Sequence, residues 1–360
     1  MKILHVITSL QTGGAEKLMV EIIPQLRNLG NDVDLLVFNG VYTPFYKELE
    51  RKGVRIYNLG YRNNVYDVRN LLNLIKFFRK NKYDIIHTHN TAPQLFIAIL
   101  PKLSHIKITT EHSTSNRRRK WKWYVMIDRW MYSKYDKIIC ISDQAEINLK
   151  EYLGNSFNNK IITIYNGVDI ERYRDASPLL EIKEKFAKYK TGIMVAGFRH
   201  EKDQETIIRA YTHLPSHYHF LFIGSGKKMN DCKRMVQKLG LVNRIHFLGS
   251  RMDVPNLLKS VDFIVMSSHY EGLSLSSIEG MASGRPFIAS NVGGLKEIVE
   301  GYGLLFEHQN ERELSNIILT LDKDRELYNT IVKQCQARAS MYDISVMARQ
   351  YNGVYLNNNE

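Results

Sequence analysis

Runs of consecutive apolar residues alternate along this chain with longer stretches in which apolar positions recur every three or four residues. In the first half the runs are KILHVIT (2 to 8), VDLLVF (33 to 38), VRIYNL (54 to 59), DIIHTH (84 to 89), IKITTE (106 to 111), KIICIS (137 to 142) and IITIY (161 to 165); segments such as AEKLMVEIIPQLRNLG and VRNLLNLIKFFRKN lie between them. A strand that is apolar almost throughout, rather than at alternate positions, is buried on both faces, so the pattern predicts parallel sheets covered by helices. It restarts with TGIMVAG (191 to 197), YHFLFIG (218 to 224), RIHFLG (244 to 249), DFIVMSS (262 to 268) and PFIAS (286 to 290). Between the halves, YNGVDIERYRDASP carries turn chemistry at Asn166-Gly167 and from Asp175 to Pro178 and reads as a linker. The last segment, MYDISVMARQYNGVYLNN, repeats Ile344, Met347, Tyr351 and Tyr355 at helical spacing, as a helix that caps the second half or crosses back to the first.

At 360 residues the chain exceeds the size at which a single core stops growing. The expected fold class is α/β, with one Rossmann-like domain over 1–170 and a second over 171–339, and a helix over about 340–360 returning to the first. Three cysteines, Cys140, Cys232 and Cys335, stand far apart with no metal-ligand spacing, which argues against a disulfide framework or a zinc site. No apolar run reaches the ~18 residues of a spanning helix, and the opening MKILHVITSL meets QTGGAE with no cleavage pattern, so it reads as a buried first strand. The net charge of +13 is unevenly spread: residues 51 to 137 hold 19 Lys and Arg against 5 Asp and Glu. One face of the first domain is therefore expected to be positive and to suit nucleic acid, anionic lipid or a phosphorylated substrate.

Ligands of doubly wound sheets bind beyond the carboxyl ends of the strands, so the chemistry is sought in the turns there. TSLQTGGAEK places Gly13 and Gly14 at a helix start, where free N–H groups and the positive helix end face an anion; it is neither GxGxxG nor a P-loop. GFRHEKD sets Arg199 and Lys202 just after a strand, a forked guanidinium and a point charge suited to two phosphates, or an ordinary solvated turn. In EGLSLSSIEGMASGRP, Ser274, Ser276 or Ser277 caps a helix that buries Ile278, Met281 and Ala282. Glu279, one turn in, can accept paired hydrogen bonds from vicinal hydroxyls, and Glu271, ahead of the helix, can do the same for a second polyol. Two polyols with anions between them describe a nucleotide sugar.

TGGAE, TEHS, ISD, NGVD, GFRHEKD, GSG, FLGSRMDV, EGLSLSSIEGMASGRPFIASNVGG and GLLF, in this order and over nearly the whole chain, resemble the retaining GT-B glycosyltransferases of the glycosyltransferase 4 family. The resemblance implies two Rossmann-like domains facing across a cleft. It further implies transfer of a hexose or N-acetylhexosamine from a nucleotide diphosphate sugar, UDP favoured over GDP by family frequency, without cofactor or metal. In family terms Gly13 and Gly14 approach the donor phosphates, His112 reaches the donor sugar, and Arg199 and Lys202 neutralise the departing diphosphate. Glu271 contacts the transferred sugar, Glu279 the ribose, and Gly249, Ser250 and Arg251 flank the base; Gly197, Gly224, Gly272, Leu273, Ser274 and Leu275 complete the donor site. The catalytic set is thus His112, Glu271, Arg199 and Lys202, with no protein base assigned. Ser274 replaces the Gly or Pro of many relatives, and Phe198 and His200 replace commoner residues beside Arg199, which leaves the donor sugar unnamed.

The DxD triplet Asp32-Val33-Asp34 opens an apolar strand and reads as a capping feature, so no metal is assigned to it. His87 and His89, two apart on one strand face, read as hydrogen-bonded histidines rather than ligands, with His89 able to line an acceptor cleft. SNRRRKWKWYVMIDRWMYSKYDK (115 to 137) joins Arg117, Arg118, Arg119 and Lys120 to Trp121 and Trp123; on a helix, Trp123, Ile127, Trp130 and Met131 share a face. That combination suits an anionic bilayer surface as well as a helix packed on its own sheet. In terms of the family resembled, the expected partners are a nucleotide sugar, a polyprenyl-diphosphate-linked glycan of surface polysaccharide (O-antigen or capsule) assembly, and the cytoplasmic face of the plasma membrane, with the protein a monomer or weak dimer. A nucleic-acid protein would explain the charge but not the paired glutamates, and a dehydrogenase would need GxGxxG. A two-domain nucleotide-sugar epimerase fits the same donor residues without an acceptor.

Overall fold

The computed structural model describes residues 1–11, 13–60, 64–101, 106–112, 121, 123–272 and 274–357. Leu273 and the basic run Arg117, Arg118, Arg119 and Lys120 lie outside that set. The described residues form two wholly parallel sheets. The first comprises β1 (Lys2–Ile7), β2 (Asp32–Val37), β3 (Ile56–Asn58), β4 (Ile85–His89), β5 (Ile106–Glu111), β6 (Lys137–Cys140) and β7 (Ile161–Thr163), in the order β3-β2-β1-β4-β5-β6-β7. The second comprises β8 (Lys190–Val195), β9 (Tyr218–Ile223), β10 (Ile245–Phe247), β11 (Phe263–Met266), β12 (Phe287–Ser290) and β13 (Leu304–Phe306), in the order β10-β9-β8-β11-β12-β13. All twelve apolar runs are strands, and β13 is an additional one.

The burial that an unbroken apolar run requires is present. All six residues of β9 are buried, and in β1 only Lys2 is not. Helices lie against both faces, which makes each sheet a doubly wound, Rossmann-like layer. Packing between strands is close enough to demand glycine at one point: a Cβ on Gly192 in β8 would overlap the Phe263 ring and lie 2.8 Å from that of Phe220.

The chain divides into one unit of Met1–Gly167 with Ile344–Glu360 and a second of Val168–Asp343. The final helix, Ile344–Leu356, buries Ile344, Met347, Tyr351 and Tyr355 in the core of the first unit, packed against the helix Gly14–Asn28. Its Asn352 accepts a hydrogen bond from Asn31 Nδ2 at 2.9 Å.

Two local expectations change. The stretch read as a linker contains a short helix, Ile170–Arg174, started by the Asp169 side chain accepting from the Arg172 N–H (3.1 Å), and its Ile170 and Tyr173 are buried. The boundary between the two units, after Gly167, falls inside the same stretch. Asp32 and Asp34 are not capping residues either. Arg55 bonds both, at 2.7 Å to Asp32 Oδ1 and 2.7 Å to Asp34 Oδ1, and Tyr83 OH donates to Asp34 Oδ2 at 2.8 Å.

Candidate active site

The strand order reverses between β1 and β4 in the first sheet and between β8 and β11 in the second, and beyond such points the loops diverge and leave a crevice. At the first, His5 of β1 stands in register with His87 of β4. His89 ends β4, and His112 follows β5. His5 Nδ1 lies 2.9 Å from His89 Nε2, and His89 Nδ1 lies 2.8 Å from His112 Nε2, a chain of three imidazoles. His87 stacks beside it, with Nδ1 2.6 Å from Tyr355 OH and Nε2 2.7 Å from Thr110 Oγ1. Burial pushes the His5 imidazole down to about 3 and that of His112 to about 4, and holds His87 and His89 well below the usual histidine range. All four are therefore neutral at pH 7, so His112 can exchange hydrogen bonds with a ligand but brings no positive charge. Asn90 follows with φ 67 and ψ 160, a backbone conformation strained for any residue but glycine, and its Oδ1 accepts from Thr8 Oγ1 at 3.0 Å, joining the loops after β4 and β1.

Gly13 and Gly14 begin the helix Gly14–Asn28, and Gly13 is extended without a side-chain cap. A Cβ on Gly13 would overlap the Glu16 carboxylate, which lies across this helix start; burial raises the Glu16 carboxyl. The sequence reading treated Glu16 only as part of a motif, yet it is the acid closest to these amides.

At the second reversal point, the loop after β8 is laced to the loop after β11. The Asp203 N–H donates to Ser267 O (3.0 Å) and the His269 N–H to Glu201 O (2.9 Å), with Lys202 bridged to Ser268 between them. Lys202 Nζ forms an ion pair with Glu271 Oε2, which also accepts from Ser268 Oγ at 3.3 Å; both charged side chains are mostly buried. The Glu271 loop is held from behind by the Gly294 N–H, 3.3 Å from Glu271 O. A Cβ on Gly294 would overlap the Gly272 carbonyl oxygen and lie 2.8 Å from that of Glu271, so only glycine permits this approach.

The helix Leu275–Ala282 starts from Ser274 in extended conformation, and its inner residues Ile278, Met281 and Ala282 are buried. Ser274 does not cap it through its hydroxyl, which meets Ser276 Oγ at 3.3 Å instead. Glu279 is buried one turn in, and the buried Ser277 Oγ has no hydrogen-bond partner among the described residues.

Arg199 is exposed at the end of β8, near Gly197. Gly224, with φ 133, accommodates the Ala196 carbonyl where a side chain would overlap it, and its N–H donates to Gly249 O at 2.8 Å. Ser250 Oγ donates to Ser225 Oγ at 3.0 Å. Arg251, expected beside a nucleotide base, is held by Asp253 at 2.6 and 2.8 Å.

The second unit thus gathers Gly197, Arg199, Lys202, Gly224, Ser250, Glu271, Gly272, Ser274, Leu275 and Glu279 around the carboxyl ends of β8, β9 and β11, while Gly13, Gly14, His89 and His112 belong to the first. Sequence reasoning missed His5 and Ser268, and treated Gly294 only as part of a motif. His5 carried a usable signal, a lone polar residue inside an otherwise apolar central strand; Ser268, three residues from Glu271, was within reach of local pattern, whereas the Gly294 contact with Glu271 spans 23 residues.

The helix Tyr124–Ser133 covers its sheet with Asp128, Met131 and Tyr132 rather than with its tryptophans. Trp121 and Trp123 are each 59% exposed, Met126 76% and Trp130 42%. Met131 is thus buried where Trp123 and Trp130 are exposed: one side of this helix packs on the core, and the other presents an exposed aromatic surface with the Trp121 and Trp123 rings 6.0 Å apart. No helix among the described residues is long and apolar enough to cross a membrane.

Comparison with known proteins gives concordant results. The family model for Glycosyltransferase Family 4 matches residues 12–172, and that for Glycosyl transferases group 1 matches 178–338. An uncharacterized glycosyltransferase of Methanocaldococcus jannaschii is 31% identical over 300 residues, 79% of this chain and 80% of the relative. The UDP-Gal:alpha-D-GlcNAc-diphosphoundecaprenol alpha-1,3-galactosyltransferase of Escherichia coli is 29% identical over 290 residues, 75% and 74% of the two chains. The Anabaena protein HepE, solved in complex with UDP-glucose, superposes with a TM-score of 0.84 at 22% identity, over 99% of this chain and all of that one.

Proposed function

Because this chain belongs to glycosyltransferase family 4 and is a glycosyltransferase of the GT-B fold, we propose that it transfers a hexose or N-acetylhexosamine, with retention of configuration and without a metal, from a UDP-sugar to a polyprenyl-diphosphate-linked glycan. The observation that carries this reading is the Lys202–Glu271 pair, braced by Ser268 and Gly294 at the carboxyl ends of β8 and β11. Two roles follow from its chemistry. Lys202 and the exposed Arg199 offer positive charge to a diphosphate, and Glu271 offers a carboxylate to sugar hydroxyls.

Breaking an anomeric bond builds positive charge on the sugar and negative charge on the departing nucleoside diphosphate. Cations fixed before the reaction, aided by the amino end of the helix Leu275–Ala282, favour that charge distribution over the ground state. The acceptor hydroxyl attacks from the face the diphosphate leaves, and the diphosphate oxygen takes its proton, so no protein base is required. His112, neutral, orients the sugar through a hydrogen bond. Glu279 holds the ribose.

The donor and acceptor classes are supported by the Escherichia coli relative, whose description names UDP-Gal and a diphosphoundecaprenol-linked sugar, and by the UDP-glucose complex of HepE. The exposed surface of Trp121, Trp123, Met126 and Trp130, next in sequence to four consecutive cations, supports docking on an anionic membrane from the cytoplasmic side. Calorimetric titration with UDP, GDP, UDP-hexoses and GDP-mannose tests the donor. Uridine nucleotides are expected to bind and Glu279→Ala to weaken them sharply; tighter binding of GDP-mannose would make this a mannosyltransferase, and unaltered affinity in Glu279→Ala would sink the site assignment.

A further inference from the structure

The second unit contains a set of metal-ligating side chains that the transfer chemistry does not use. His269 follows β11, His308 follows β13, and Asp203 follows the turn after β8. Their ligand atoms lie within 4.8 Å of one another, with His269 Nδ1 2.9 Å from His308 Nε2. Two imidazole nitrogens at that separation cannot both present lone pairs to each other unless a proton or a cation lies between them. A transition metal with Zn–N or similar bonds of ~2.1 Å sets adjacent nitrogens about 3.0 Å apart at right angles and about 3.4 Å apart in a tetrahedron, so the two hydrogen-bonded nitrogens need separate by only about 0.1–0.5 Å to share an ion in place of the proton.

Asp203 supplies the third donor. It is only 2% exposed, and its carboxylate is oriented by two hydrogen bonds, from the Thr206 N–H to Oδ1 (3.2 Å) and from Ser267 Oγ to Oδ2 (3.1 Å). A carboxylate has about four acceptor positions, so two stay available, and fixing of a ligand by neighbouring donors is the usual support of a metal site. His269 is half-buried and His308 exposed, which gives an ion access from solvent; the His200 ring, 6.0 Å from that of His269, is also near.

We propose that Asp203, His269 and His308 bind one divalent transition metal, of the Zn²⁺, Co²⁺ or Ni²⁺ type, and that its occupancy slows transfer. The regulatory half rests on the transferase reading: Asp203 adjoins Lys202, His269 stands two residues from Glu271, and an ion fastening the two loops opposes any adjustment of the Lys202–Glu271 pair to a substrate. The binding half stands whatever the substrate is.

The test uses the full chain, stripped with a chelator and titrated with Co²⁺ while visible absorption is recorded, without substrate. The expected result is one saturable equivalent with the ligand-field bands of a nitrogen-ligated ion, and at least a tenfold weaker affinity in both His308→Ala and His269→Ala. Absence of saturable binding, or affinity unchanged in both variants, would overturn the site. With the site established, Zn²⁺ should lower the rate of the wild type, a chelator should restore it, and His308→Ala should resist; a wild-type rate indifferent to bound Zn²⁺ would overturn the regulatory role.

Discussion

Acidification should destabilise the first unit through its buried histidines. A histidine whose folded pKa is lowered binds fewer protons in the native state than in the unfolded chain at any pH between the two values, so stability is lost as pH falls below about 6.5 and the loss levels off below the folded pKa. His5 is held at about 3 and His112 at about 4, with His87 and His89 shifted in the same direction. Between pH 7 and pH 5 a histidine of this kind costs about 2 kcal/mol, so His5 and His112 together cost about 4 kcal/mol. That is a large fraction of the 5–15 kcal/mol typical of a folded domain. All three tryptophans, Trp121, Trp123 and Trp130, are in the first unit, so fluorescence-monitored urea unfolding at pH 7, 6 and 5 follows that unit selectively. His5→Asn removes one titrating group, and its stability loss from pH 7 to pH 5 should be about 2 kcal/mol smaller than that of the wild type. Carboxylates titrate in both proteins and cancel in the comparison. Equal losses in the two would refute the reasoning, since His5 would then not be a neutral, proton-excluding residue.

Three further outcomes follow from the second unit and the aromatic surface. Lys202→Met should lower the transfer rate by about 10²–10³-fold in steady-state assay, the usual cost of removing one preorganised charge-stabilising group. Gly294→Ala forces a methyl group into the Gly272 and Glu271 carbonyls and should displace Glu271, lowering turnover by about 10²-fold while the second sheet still folds, as circular dichroism would confirm. Replacing Arg117, Arg118, Arg119 and Lys120 with Ser removes about 4 kcal/mol of attraction to an anionic bilayer, so flotation with phosphatidylglycerol vesicles at physiological salt should fall by about 10²–10³-fold; unchanged flotation would reject the docking surface.

The architecture was readable from sequence for a specific physical reason. Parallel strands covered on both faces leave unbroken apolar runs, and twelve such runs are twelve strands. β13 escaped because three residues, Leu304–Phe306, are too few to separate from ordinary apolar sequence. Periodicity placed Trp123, Trp130 and Met131 on one helix face but carries no information on which face meets the sheet; the choice fell to Met131 and Tyr132, with Tyr132 OH donating to Glu111 Oε2 at 2.5 Å. The role of Asp32 and Asp34 depended on Arg55, some twenty residues away, and the bracing of Glu271 on Gly294, 23 residues away. Motifs could name the residues at the strand ends, whereas the contacts that fix them are long-range.

The central claim is transfer with retention from a UDP-sugar to a lipid-linked glycan. Its most direct test is to incubate the protein with a panel of isotopically labelled UDP-hexoses and UDP-N-acetylhexosamines and a polyprenyl-diphosphate-linked sugar in anionic vesicles, then read the anomeric configuration of the product by NMR. The account predicts label in the lipid-linked fraction, bonded with the donor's own α configuration. A product of β configuration, or conversion of the UDP-sugar with none of the label reaching the acceptor, would contradict it.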